Sequence, residues 1–217
     1  MKIRTRKAKK EDINNILTVE AEVWPRNLRA KREQFISRIN LFPEGTLVAE
    51  DVLEKNIVGV VATEILNYDL DDPIPTWNEV TDNGFIKKTH NPNGNTLYGV
   101  DLSVSRFANS ASKSLIVHIA KLIIRKRLEQ GILGARVPRY YKHSKGMSIE
   151  DYVYGKRKKR PFDPELAFYK RIGLEIVGIL PNYIEDPESC NYGVLLCWKN
   201  PFHGKPFPRL WSWIFNK

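Results

Sequence analysis

The hydrophobic pattern starts with a short strand-like segment over residues 2–7 and then turns helical. Ile13, Ile16, Leu17, Val23 and Trp24 follow Asp12 at helical spacing, which predicts a helix with Asp12 as its N-cap and Pro25 as its break. A second helix is expected over Ala30–Leu41, with Phe35 and Ile39 on one face, ending at Pro43-Glu44-Gly45. Thr46–Glu50 and Ile57–Leu66 read as strands joined by a polar turn. Thr96–Val104 alternates strictly, with Tyr98, Val100, Leu102 and Val104 on one face and Gly99, Asp101 and Ser103 on the other. A small, polar stretch, Ser105–Ser114, leads into a helix that should run to about Gln130. Its Leu115, Ile116, Ile119, Leu122 and Ile123 are apolar nearly all round, so deep burial is expected. Arg125, Lys126 and Arg127 suit the negative end of its dipole, and Gly131 suits the position just past its end. Ile132–Val137 is a further strand. Asp163-Pro164 starts another helix, as N-cap and first helical residue, and Gly173 closes it before the strands Leu174–Leu180 and Tyr192–Trp198.

Two stretches interrupt this pattern. Residues 67–95 are rich in Asp, Asn, Pro and Gly, and residues 138–162 are basic and rich in tyrosine. Segments of that length inside a domain are usually functional loops or insertions. The element order is β-α-α-β-β-β-α-β-α-β-β. It predicts an α/β (α+β) fold with a mixed, mostly antiparallel central sheet and helices on both faces. One domain over residues 1–200 is expected, followed by an aromatic tail, 201–217, packed on the domain or on a partner.

Charge adds a preference for acidic partners. The chain of 217 residues carries a formal net charge of +10. Five of its positive residues form the run Lys156–Arg160, between Gly155 and Pro161, which reads as a solvated loop. No aromatic residue lies within that run to stack on bases, so nucleic acid is not an expected partner. No apolar run reaches the ~18–20 residues of a membrane span. The basic N-terminus lacks a signal-like apolar core, and two cysteines, Cys190 and Cys197, fit a reducing cytoplasm. No pair of histidines has metal-ligand spacing, and no metal site is expected. The motifs of serine hydrolases, P-loop NTPases, dinucleotide dehydrogenases and zinc proteases are absent.

The element order, together with Tyr169-Lys170-Arg171-Ile172-Gly173-Leu174, resembles the GNAT N-acetyltransferase superfamily, whose late helix carries a Tyr-x-x-x-Gly-apolar pattern. The resemblance covers about residues 2–199. The two insertions resemble a larger subgroup that includes the GNAT-like domains of some polyketide loading modules. In the family a fourth strand leads through a Gly-rich turn, (R/Q)-x-x-G-x-(G/A), into a long helix that binds coenzyme A. Aligned on Leu115, this chain has Phe107, Ser110 and Ser112 at the three defined positions, so serines replace the glycines. Serine is small and its hydroxyl can donate to a phosphate.

The resemblance therefore implies acetyl-CoA or another acyl-CoA as substrate, held by Asn109, Ser110, Ala111, Ser112, Lys113 and Ser114, with Ser103 or Val104 supplying a backbone N–H to the thioester carbonyl. The alternative for Ser110 or Ser112 is a plain helix N-cap. Tyr169 is the implied general acid, against a half-buried packing role. Asp101, on the polar face of its strand, is the candidate base, with Glu64 as a second choice. The loop residue His143 could also move a proton. These features predict an N-acyltransferase acting on a small-molecule or peptide amine. A second reading is a GNAT-like domain acting on acyl groups of CoA or of an acidic carrier protein, by S-acyl transfer or malonyl decarboxylation. A third is a non-catalytic binding module. The aromatic tail and edge strands leave a homodimer open.

Overall fold

Strands with apolar residues on both faces need cover on both sides, and the central strands here are of that kind. The computed structural model describes residues 1–73, 75–157 and 160–215. In chain order the elements are β1 (Ile3–Lys7), α1 (Ile13–Val23), α2 (Arg32–Leu41), β2 (Thr46–Asp51), β3 (Asn56–Leu66), α3 (Trp77–Val80), β4 (Thr96–Val104), α4 (Asn109–Arg125) and β5 (Gln130–Arg136). They continue with α5 (Ile149–Tyr154), β6 (Lys156–Arg157), β7 (Arg160–Pro161), α6 (Pro164–Arg171), β8 (Glu175–Leu180), β9 (Gly193–Lys199) and α7 (Pro208–Ile214). Seven of the strands belong to one mixed sheet, and β6 and β7 form a separate hairpin. The fold class is the expected one.

The chain divides into two compact units. The first comprises residues 1–68, 81–131 and the segment from Asn200 onward; the second comprises 69–80 and 132–199. In the first, β1, β2, β3 and β4 are neighbours in that order, and each pair is antiparallel. Val48 and Val60 pack with Ile13, Ile16 and Val19 of α1 and Phe35 and Ile39 of α2. Leu47, Ala49 and Val61 pack with Ala111 and Leu115 of α4. One face of these strands is thus covered by α1 and α2 and the other by α4. Each fully buried aliphatic side chain contributes about 1.5–3 kcal/mol through loss of apolar surface from water.

Several expectations are corrected in this unit. Asp12 does not cap α1 with its side chain. Its carboxylate receives Arg6 through both guanidinium ends, at 2.7 and 2.8 Å, and the Lys9 N–H at 2.8 Å. Together these bonds hold its pKa below the usual range, although burial opposes them. The long helix ends at Arg125 rather than near Gln130, and α4 is less enclosed than its composition suggests. Leu115, Leu122, Ile123 and Ile124 are buried, whereas Ile116 and Ile119 are half-buried. The left-handed residue past its end is Arg127, at φ 59°, not Gly131. Gly131 lies in β5, where an added Cβ would meet Ile123 Cδ1 at 2.5 Å, so its lack of a side chain serves packing.

Gly45 is a second close approach. A Cβ there would overlap the Phe42 ring and the Thr63 hydroxyl, and the Gly45 carbonyl accepts from both the Thr63 N–H and Oγ1. Gly45→Ala should therefore lower stability by about 1–3 kcal/mol through overpacking, read as an earlier urea midpoint at unchanged slope.

The second unit has its own core, built from Val137, Tyr140, Tyr152, Leu166, Val194 and Leu196. Within it β9 neighbours both β5 and β8. As expected, Asp163 caps α6, accepting from the N–H groups of Glu165 (2.8 Å) and Leu166 (3.2 Å), with Pro164 in the first turn. Its other oxygen accepts from the Tyr152 hydroxyl at 3.0 Å. Gly173 follows α6 at φ 96°, a conformation that glycine alone adopts without cost. Insertion 138–162 is more regular than its composition suggests, with α5 and the β6–β7 hairpin in register Lys156↔Pro161 and Arg157↔Arg160. Of the basic run read as a solvated loop, Lys158 and Lys159 lie outside the described residues. Among the described residues no helix is long and apolar enough to cross a membrane.

Candidate functional site

The strict alternation of β4 is broken once. Between Thr63 and Ala62 the register on β4 jumps from Gly99 to Asp101, so Val100 is the extra residue of a β-bulge. Beyond the bulge, Asp101 and Ser103 share a face as expected, and both are largely shielded from water. The Ser105 N–H donates to the Val58 carbonyl at 2.9 Å. By the two-residue period of an antiparallel ladder, Ser103 N–H also faces β3, and the Val104 N–H points to the other edge of β4. Of the two candidate N–H donors, Val104 is thus the one not directed at β3.

The Ser103 side chain is occupied by a buried polar cluster. Its Oγ accepts from Trp24 Nε1 at 2.6 Å, lies 3.0 Å from Asp101 Oδ1, and is also hydrogen-bonded to Glu20 Oε1. The second Glu20 oxygen accepts from the Ala30 N–H at 3.0 Å. Asp101 Oδ2 is ion-paired with Arg38 Nη1 at 3.0 Å, and Arg38 Nε donates to the Gly84 carbonyl at 2.8 Å. Arg38 is 0% exposed and Glu20 is 1% exposed. Glu20 and Trp24 lie at the end of α1, Arg38 is on α2, and Asp101 and Ser103 are on β4, all within the first unit.

A count of protons fixes the charge state. A serine hydroxyl carries one hydrogen and can donate to one partner. The Trp24 N–H already donates to it, so of its two carboxyl neighbours one accepts and the other must bring its own proton. Asp101 is ion-paired with Arg38 and is the natural acceptor. Glu20 therefore carries the proton. Burial, and then the charge of Asp101, push the Glu20 pKa up to about 8, against the pull of Ser103, Ala30 N–H and Arg38. Beside this cluster Glu64 is 0% exposed, and neither of its oxygens has a hydrogen-bond partner; nor do Arg38 Nη2 and Thr89 Oγ1. Burial pushes the Glu64 pKa up to about 7, while the nearby Thr89 hydroxyl, outside good hydrogen-bond geometry, and then Arg38 draw it back.

The sequence analysis placed Asp101 and Ser103 together but missed Glu20, Trp24 and Arg38 as their partners. The available signal was a charged side chain on an apolar stripe. Glu20 stands four residues after Ile16 and seven after Ile13, and Arg38 stands three after Phe35.

The start of α4 departs from a simple N-cap. The cap residue is Ala108, which has no side-chain acceptor, and neither Ser110 nor Ser112 caps the helix. Ala108 N–H donates to the Ser105 carbonyl, and Ala111 N–H to the Ala108 carbonyl. Helix geometry leaves the N–H groups of Asn109 and Ser110 without an intrahelical acceptor. Ala111 is fully buried, Ser110 and Lys113 are exposed, and Ser112 is half-buried. The Ser114 hydroxyl is 2.7 Å from Thr5 Oγ1 and thus engages β1. The side chain of Asn109 lies outside the described residues.

Tyr169 and His143 belong to the second unit. Tyr169 is half-buried on α6, with the Phe168 ring at 5.3 Å in an edge arrangement. His143 is exposed, its ring 5.3 Å from that of Tyr152. Among the described residues no group of three His, Cys, Asp or Glu side chains is arranged to hold a metal ion.

No family model matches the chain. A Bacillus subtilis (strain 168) protein described as the uncharacterized N-acetyltransferase YkwB is 39% identical over 200 residues, which is 89% of this chain and 87% of that protein. A second protein of that strain, described as the probable hydrolase YhcX, is 31% identical over 202 residues; the match spans 92% of this chain but 39% of that longer protein. Among solved structures, the loading GNATL domain of CurA from Lyngbya majuscula superposes with a TM-score of 0.81 at 21% identity, covering 92% of this chain and 98% of that one. A GphF GNAT-like decarboxylase in complex with isobutyryl-CoA superposes with a TM-score of 0.77 at 28% identity, covering 91% and 99%.

Proposed function

Because the chain belongs to the GNAT N-acetyltransferase family, we propose that it transfers an acetyl or other short acyl group from a coenzyme A thioester to the amine of a small molecule or peptide. The observation that carries this reading is the start of α4, where a long helix begins without a side-chain cap directly after β4. A phosphate can take the place of the missing cap, because uncapped N–H groups and the positive end of the helix dipole both favour an anion. Asn109 and Ser110 supply the open backbone N–H groups, the Ala111 N–H being taken by the Ala108 carbonyl, and Ser112 and Lys113 follow. Ser114, turned to Thr5, supports the helix rather than the ligand. No glycine is needed if the pyrophosphate meets the exposed edge of the turn.

In the transfer, the amine nitrogen forms a bond to the thioester carbon and the carbon–sulfur bond breaks. The Val104 N–H donates to the carbonyl oxygen as it gains charge. The thiolate needs a proton, for which Tyr169 is the family-implied donor. The amine must lose one, and the Glu20–Ser103–Asp101 chain is the acceptor. Asp101 is already engaged by Arg38, and the proton is taken up by ionised Glu20 through Ser103. His143 has no part in this account.

A second reading is favoured by the same cluster. Near neutral pH it already holds a proton, which suits protonating an enolate after a malonyl group loses carbon dioxide. The partner would then be an acyl-CoA or an acidic acyl-carrier protein, which the +10 chain would attract.

The two readings predict opposite pH limbs. Acyl transfer to a weakly basic amine should rise with pH through about 8, as Glu20 ionises. Decarboxylation of malonyl-CoA should fall over the same range. Mass analysis of products from acetyl-CoA with an amine panel, and from malonyl-CoA alone, identifies the reaction. In either case Glu20→Gln should lower turnover by about 10²-fold or more and abolish the limb. A lack of turnover with every acyl-CoA and amine would leave the binding-module reading.

A further inference from the structure

The C-terminal segment was expected to pack on its own domain or on a partner, and the two sides of α7 differ. Its inner side is docked within the first unit. Ser212 is buried, and the Trp211 ring stacks on Phe202 with centroids 5.2 Å apart. The opposite side faces water. Phe207 is 71% exposed, Leu210 47%, Trp213 62% and Ile214 38%. At 100° per residue Leu210, Trp213 and Ile214 fall on one arc of about 100°, with Arg209 near its border, and Phe207 stands at the start of the helix. Solvent-facing apolar side chains gathered on one helix face are unusual in a soluble domain and mark a binding surface.

Charge narrows what binds there. Beside Phe207 and Leu210 lies a recess of about 560 Å³ lined by Arg127, Pro206, Phe207, Pro208, Arg209 and Leu210. Two of these six residues are arginines and none is acidic. The Lys205 ammonium lies elsewhere, over the rings of Phe202 and Trp211. Arg127 holds the left-handed conformation that normally falls to glycine, and its carbonyl is hydrogen-bonded to His203 Nδ1 at 3.1 Å. The backbone strain thus keeps a guanidinium where a glycine would be the easier choice.

We propose that this face is a peripheral membrane-binding surface. Phe207, Leu210, Trp213 and Ile214 enter the headgroup–acyl boundary of an anionic bilayer, while Arg127 and Arg209 receive a lipid phosphate in the recess. Trp, Phe and Leu side chains turned outward with arginines at their rim are the pattern of an interfacial anchor. A second copy of the chain fits less well, because a two-fold contact would set these arginines against each other. An acidic protein would satisfy the charge, but the recess sets two arginines directly beside the exposed Phe207 and Leu210, which matches the phosphate and acyl chain that a lipid presents together.

The test is co-sedimentation of the full chain with phosphatidylglycerol/phosphatidylcholine vesicles and with pure phosphatidylcholine vesicles. Binding should be at least tenfold stronger to the anionic vesicles and should weaken with added salt. Trp213→Ser/Leu210→Ser and Arg209→Glu should each reduce it several-fold while leaving the thermal unfolding midpoint near that of the parent. Binding that is absent, equal on both vesicle types, or unchanged in both variants overturns the proposal. So does a concentration-dependent dimer in sedimentation velocity that is lost in Trp213→Ser/Leu210→Ser, which would assign the face to self-association. None of these readouts depends on the transfer reaction.

Discussion

Raising the pH from about 5 to about 8.5 will lower the melting temperature of this protein, and Glu20→Gln will remove much of that loss. The sign follows from the direction of the shifts. Burial raises the Glu20 pKa from 4.5 to about 8, and that of Glu64 to about 7. In the second unit Glu165 is also raised, to about 7, by burial and then by Asp163. A carboxyl raised in the folded state keeps its proton where the unfolded chain has released it. Its stabilising contribution is complete below the ordinary value and is lost as pH climbs through the folded value. Each such group costs about 1.4 kcal/mol per pH unit over that window. For a chain of this size, 1 kcal/mol corresponds to roughly 2–4 °C, so a total fall of about 10 °C or more is expected. Asp12, Glu44 and Asp186 are shifted downward, so their stabilising contribution is complete above the ordinary carboxylate value and is lost only as pH falls through the folded one, outside this window. In Glu20→Gln the amide can donate to Ser103 at every pH, so the variant should be the more stable protein above pH 8. Parallel melting curves for parent and variant across pH 5–8.5 would show that Glu20 is ionised throughout.

Replacing Arg38 by methionine should be the most damaging single change in the first unit. The guanidinium is fully buried, pairs with Asp101, donates to the Gly84 carbonyl and lies 5.0 Å from the Phe35 ring centroid. Methionine would leave Asp101 as an uncompensated buried charge beside Glu20. Breaking a buried pair in this way costs about 3–5 kcal/mol, which corresponds to a fall in melting temperature of about 10 °C. Lysine should rescue little, because one ammonium cannot reproduce the fork that reaches Asp101 and Gly84 together. Adding Asp101→Asn to the methionine variant should recover part of the loss, since the stranded charge is then gone. If thermal unfolding shows Arg38→Met within a degree or two of the parent, the ion pair has no structural weight.

The parts of the fold that were legible in the chain are those set by local periodicity and local capping. β4 occupies Thr96–Val104, the bounds its alternation implied, and α6 starts at the Asp163-Pro164 signal and closes at Gly173. The end of α4 was misread because Gly131 advertises a helix terminus, whereas its lack of a side chain answers to Ile123. The site was legible only on β4. Asp101 and Ser103 could be placed together because two residues on a strand share a face. Glu20 and Arg38 join them from α1 and α2, and such a meeting is set by tertiary packing, which leaves no periodic trace. Each charge falls on the apolar stripe of its own helix, but that position does not tell which strand residues it will meet.

The route of the chain through the two units has a consequence for synthesis. The second unit is nearly continuous, from 132 to 199, but the first is stitched from three separated pieces, the last beginning at Asn200. That residue donates its backbone N–H to the Glu129 carbonyl and its side-chain amide to the Leu128 carbonyl. On the ribosome those two carbonyls, and the flank of α4 that α7 covers, wait until the final segment has left the exit tunnel. The earliest-made half of the protein is therefore the last to be completed, and shortening the C-terminus would weaken the N-terminal unit.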